Sequence, residues 1–128
     1  MILADTSILV ELLRTRSPRL RSLIVSQRAA ICGPTRTEIL YATRDAQHRQ
    51  QLLTALRMFQ QISIPDSLWD QAGDNLAALR AVGTTVSLAD VLIATVAISN
   101  NLELWTRDLD FTQMQNVLPA LRLFQEPP

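Results

Sequence analysis

The segment Ser87–Phe111, SLADVLIATVAISNNLELWTRDLDF, holds a helix, a strand and three aspartates in close succession. Ser87 has the chemistry of a helix N-cap, and Leu88, Val91, Leu92, Thr95, Val96 and Ile98 supply an apolar face at helical spacing. Asn100-Asn101 closes the helix, and Leu102–Trp105 then reads as a short buried strand. Asp90 falls in the first turn of the helix, while Asp108 and Asp110 fall just beyond the strand.

The same alternation extends outward in both directions. Met1–Ala4 is an apolar run that predicts a strand ending at Asp5, followed by a helix over Ser7–Arg14. Ser17-Pro18 predicts a second helix to about Gln27, because proline fits the first helical turn. Ala29–Cys32 reads as a second strand stopped by Gly33-Pro34. Helices are expected from about Thr35 to Thr43 and from Asp45 to Gln60, then a strand at Ile62–Ile64. Pro65-Asp66 opens a long helix through Leu68, Ala72, Leu76 and Leu79 that ends near Gly83, and Leu121–Phe124 offers a fifth strand. Strands separated by helices predict an α/β fold with three layers, a mostly parallel sheet of four to five strands covered on both faces. The pattern leaves strand order open. With no repeat, linker or low-complexity tract, residues 1–128 are expected to form a single domain.

Composition narrows the chemistry. Twelve basic residues balance twelve acidic ones, so the whole molecule has no electrostatic bias toward nucleic acid or membrane. Every basic residue is arginine. Without lysine there is no Walker-type phosphate loop and no Schiff-base chemistry. One histidine, His48, is too few for a two-histidine acid–base pair or an H-E-x-x-H zinc site, and its polar surroundings read as a solvated helix face. The lone Cys32 makes no internal disulfide. No signal peptide or membrane-length apolar run is visible, so a soluble, cytoplasmic domain is expected. Any catalysis must therefore rest on carboxylates.

In a right-handed parallel β-α arrangement, strand C-termini and the following helix N-termini share one sheet edge. Asp5, Glu38, Asp90, Asp108 and Asp110 all fall at such positions and are expected to form one cluster. Taken singly, each acid has a structural explanation. Thr35-x-x-Glu38 and Ser87-x-x-Asp90 both fit the capping box, and an acid in a first turn gains roughly 0.3–1 kcal/mol from the helix dipole. Taken together, several carboxylates within a few ångströms cannot all stay ionised without a cation. Oxygen-only ligands favour Mg2+ or Mn2+ over zinc, and such ions share phosphate oxygens and activate water for in-line displacement.

The stretches LADTSILVELLR, TRTEILYA and SLADVLIATVAISNNLELWTRDLDF resemble the PIN-domain family, and within it the VapC-type toxins of bacterial toxin–antitoxin pairs. The likeness spans Asp5 to Phe111, and its late part, A-D-x-x-I-A-x-x-A followed by T-R-D-x-D-F, is the more specific. It implies a metal-dependent endoribonuclease whose Mg2+ or Mn2+ is held by Asp5, Glu38, Asp90 and Asp108, with Asp110 as an auxiliary acid. It further implies an RNA substrate, a small VapB-like antitoxin partner and a homodimer. Cys32-Gly33-Pro34 departs from the turn expected before Thr35 and bears on how Glu38 is presented.

Several residues keep two readings. Thr6 and Ser7 either place hydroxyls near the metal water or cap the first helix. Arg107 is the foremost candidate for a phosphate contact. Glu11 either faces the site or is a solvated helix acid. Arg14, Arg16, Arg19 and Arg21 form a basic run that either grips an RNA backbone or an acidic partner, or is a solvated face. Trp69 and Trp105 either stack on bases or pack internally. Two other functional classes stay open, a catalytically silent binding module on the same fold and a metal-dependent nuclease acting on DNA.

Overall fold

A computed structural model describes all residues, 1–128. Four parallel strands, β1 (Ile2–Ala4), β2 (Ala29–Cys32), β3 (Gln60–Ile62) and β4 (Leu104–Trp105), lie in the order β3-β2-β1-β4. Seven helices surround them: α1 (Thr6–Thr15), α2 (Pro18–Ser26), α3 (Gly33–Tyr41), α4 (Ala46–Leu56), α5 (Ser67–Ala81), α6 (Leu88–Ser99) and α7 (Asp110–Val117). The three-layer α/β expectation holds, and α7 is an element the sequence reading did not anticipate.

The chain steps from β1 to β2 to β3 in one direction, then returns to the far side of β1 to form β4. Right-handed crossovers made in opposite directions place their helices on opposite faces of a sheet. The two apolar cores show this division. Ile2, Ala4, Ala29, Ile31 and Trp105 face a core built by α1–α4, whereas Leu3, Ala30, Cys32 and Leu104 face one built by α5–α7. Alternate strand residues thus serve alternate cores, the period of two that β geometry imposes. The order reverses between β1 and β4, which is where open α/β sheets form a ligand crevice at the strand C-termini.

Four sequence expectations need correction. The third strand lies at Gln60–Ile62 rather than Ile62–Ile64. It is the edge strand, so its glutamines face water and give no apolar signal, and α4 accordingly ends at Leu56 rather than Gln60. The fifth strand is reduced to one parallel bridge, Leu104 to Leu123. Finally, α3 starts at Gly33, with Pro34 inside its first turn and Cys32 as an N-cap that makes no side-chain bond. Proline needs no amide partner there, so Gly33-Pro34 both ends a strand and begins a helix.

Candidate active site

Asp5 follows β1 and caps α1, which settles the Thr6/Ser7 capping reading in favour of neither hydroxyl. Its Oδ1 accepts from the Ser7 amide at 3.0 Å and from the Ser7 hydroxyl, and its Oδ2 accepts from Thr106 Oγ1. The residue is only 3% exposed. Burial pushes its pKa above the ordinary value, against the opposing pull of those donors. The register explains the Thr106 contact: Ala4 pairs with Trp105 in the β1–β4 ladder, so the residues that follow, Asp5 and Thr106, leave the sheet side by side.

Thr106 also accepts from the Asp108 amide at 2.9 Å, and Asp108 Oδ1 accepts from the Asp110 amide at 2.9 Å at the start of α7. A short chain of bonds thus runs from Asp5 through Thr106 to Asp108 and Asp110. On the other flank, Thr6 Oγ1 donates to Glu38 Oε1 at 2.8 Å.

Because α3 starts at Gly33, Glu38 sits in the second helical turn and Thr35 is inside the helix. The capping box expected for that pair does not form. Thr35 Oγ1 is instead buried without a partner, and Glu38 is free to face α1. The second expected box is half present: Ser87 is the N-cap of α6 and its hydroxyl accepts from the Asp90 amide at 3.1 Å.

Carboxylate oxygens of Asp90, Asp108 and Asp110 lie within 4.8 Å of one another. Asp90 is pushed up to about 6, first by desolvation and then, against its hydrogen bond with Ser87, by the charges of Asp108, Glu38 and Asp5. Acids from three separate stretches, Asp5, Glu38 and Asp108, therefore act on Asp90; the tight group is Asp90, Asp108 and Asp110, and Asp5 is tied to its Asp108 side through Thr106. The all-oxygen donor set is the kind a hard dication takes, and its uncompensated charge is what such an ion would relieve.

Arg107 is already engaged. Its guanidinium meets Glu11 Oε2 at 2.9 Å and Glu126 Oε1 at 2.6 Å, while its amide donates to Ser7 Oγ at 2.9 Å. A phosphate contact by this side chain would have to displace two carboxylates. Glu11 is correspondingly an ion-pair partner, not a free helix acid. Trp105 is buried, with its ring edge-to-face against Phe124, whereas Trp69 is half exposed. His48 is half-buried, and its Nδ1 accepts from the Arg44 amide at 3.1 Å. Sequence reasoning missed Thr106 and Glu126. Thr106 follows a strand whose pairing is invisible in sequence, and Glu126 stands in a tail with no local pattern.

A three-layer α/β fold with acids gathered at its switch point defines a class of candidate phosphoryl-transfer or nuclease scaffolds. Comparison narrows the class. Residues 2–117 match the model of the PIN domain family, and the chain belongs to that family. Solved structures with similar folds include VapBC2 from Rickettsia felis bound to a promoter DNA fragment, with 21% identity, TM-score 0.82 and coverage of 99% of this chain and 100% of that one. VapBC-1 from nontypeable Haemophilus influenzae has 21% identity, TM-score 0.80 and 97% coverage of each chain. DNA-bound VapBC from Salmonella typhimurium has 22% identity, TM-score 0.79 and coverage of 97% and 98%. No curated protein matches. No helix is long and apolar enough to cross a membrane.

Proposed function

We propose that this chain, acting as one domain over residues 1–128, is a Mg2+- or Mn2+-dependent endoribonuclease and the toxin of a VapBC-type toxin–antitoxin pair. The observation that carries the reading is the group of Asp90, Asp108 and Asp110 oxygens within 4.8 Å, with Asp5 and Glu38 acting electrostatically on Asp90. Family membership and the fold shared with VapBC structures support it.

A bound dication would neutralise this charge, lower the pKa of a water and stabilise the leaving oxygen. Asp90 and Asp108 are the ligands we assign, with Asp110 assisting and Asp5 and Glu38 completing the negative site. Ser7 and Thr106 hold the Asp5 carboxylate in one orientation, and the Thr6 hydroxyl does the same for Glu38. Ser7 serves the site through Asp5, and Arg107 through its anchored position rather than as a free phosphate ligand. Hydrolysis should leave a 5′-phosphate and a 3′-hydroxyl.

The antitoxin reading has its own support. A groove of about 600 Å³ has Leu12, Leu52 and Met58 in its floor, Arg16, Arg21 and Arg44 at its rim, and no acidic residue in its lining. It suits an amphipathic, acidic protein segment. A homodimer in the cytoplasm completes the proposal.

The test is cleavage of a structured RNA, with single-stranded DNA in parallel, under three conditions: with Mn2+, with EDTA, and with D5N plus Mn2+. RNA cleavage only in the first supports the proposal. Equal cleavage in all three ends it, and cleavage of DNA alone replaces it with a DNA nuclease.

A further inference from the structure

Glu126 lies beyond the last helix, yet its carboxylate joins three parts of the molecule. Oε1 accepts from the Trp105 indole at 2.8 Å and meets Arg107 at 2.6 Å, while Oε2 meets Arg19 of α2 at 3.0 Å. Arg19 also donates to the Pro127 carbonyl, so α2 grips the tail at two points. Trp105 and Arg107 flank Thr106, the residue bonded to Asp5 and to the Asp108 amide. The Arg107 amide reaches Ser7 Oγ, the other hydroxyl on Asp5. Glu126 therefore holds the residues on both sides of the one segment that sets Asp5 against Asp108. Its side chain is only 17% exposed, while its partners Arg19 and Arg107 remain 54% and 39% open to water.

We propose that Glu126 is a positioning residue of the acid centre, fixing residues 105–108 from the C-terminal tail so that the carboxylates keep the spacing a dication needs. The inference rests on the metal-site reading above. Glu126 touches none of the five acids; it acts through Arg107 and Trp105. Groups that orient metal ligands without touching the ion typically change affinity 10–100-fold when lost.

The test is calorimetric titration of the full chain with Mn2+, alongside circular dichroism and thermal melts to establish folding. E126Q keeps an acceptor for Trp105 but loses both ion pairs. E126D keeps the charge and draws the carboxylate back by one methylene, so a loss there is not a field effect, and it serves alone if E126Q does not fold. R19A releases only the tail's grip on α2. The expected result is roughly ten-fold weaker Mn2+ binding by E126Q and E126D in folded protein, with R19A within about two-fold of wild type. Wild-type affinity in E126D, or an equal loss in R19A, overturns the proposal, the latter by assigning the effect to tail detachment. D108N separates the two readings: if it binds Mn2+ like wild type, the metal-site assignment fails; if it does not bind while E126D binds normally, only the role of Glu126 fails.

Discussion

Thr106 donates its hydroxyl hydrogen to Asp5 across 101 residues of sequence, joining the ends of two neighbouring parallel strands at the point where strand order reverses. This bond makes a buried carboxylate tolerable, because it supplies the donor to Oδ2. T106V preserves shape and removes the donor. It should destabilise the protein by about 1–3 kcal/mol, the usual cost of orphaning a buried polar group. Urea denaturation of the variant measures this directly, and an unchanged midpoint would mean that Asp5 finds another donor.

Glu38 offers a sharper separation of stability from chemistry. Since it does not cap α3, E38Q should change stability by less than about 0.5 kcal/mol, as surface substitutions usually do. It should nevertheless abolish RNA cleavage. It should also lower the Asp90 pKa from about 6, because Glu38 is one of the charges raising it. Carboxyl NMR titration reads that shift, and an unmoved Asp90 would place Glu38 outside the site.

The Asp90 shift also fixes the sign of a pH dependence. Its pKa is about 6 in the fold against 3.8 in the unfolded chain, so between those values the native state binds more protons. Stability of the metal-free protein therefore falls as pH rises from about 4 to about 6. D90N should remove that part of the slope, leaving the variant more stable than wild type at neutral pH without metal. Added Mn2+ should stabilise the wild type but not D90N. Thermal melts at pH 4 and pH 7 provide the comparison.

Thr35 carries the opposite expectation to Thr106. Its hydroxyl is fully buried and unpartnered, so T35V should be neutral or stabilising, by up to about 1 kcal/mol. A clear loss of stability would show that the hydroxyl has a partner.

Much of this was legible in the chain itself. Alternating apolar strands and capped helices gave the layers, and Ser87 with Asp90 marked the start of α6 where it lies. The acids were legible because strand ends and helix starts share one edge in a parallel sheet. What failed did so for local reasons. Gly33-Pro34 carries two meanings, stop and start, and the choice moved Glu38 from the first turn to the second. Edge strand β3 hides behind its glutamines. The contacts of Thr106 and Glu126 depend on register and on a returning tail, neither of which leaves a periodic trace.

The central claim is that carboxylates from separate stretches form one site for a hard dication. A crystal of the full chain soaked in Mn2+, examined by anomalous diffraction, tests it most directly. The account predicts a peak bonded to Asp90 and Asp108, next to Asp110 and faced by Asp5 and Glu38. Strong manganese density elsewhere, with these side chains left bare, would contradict it.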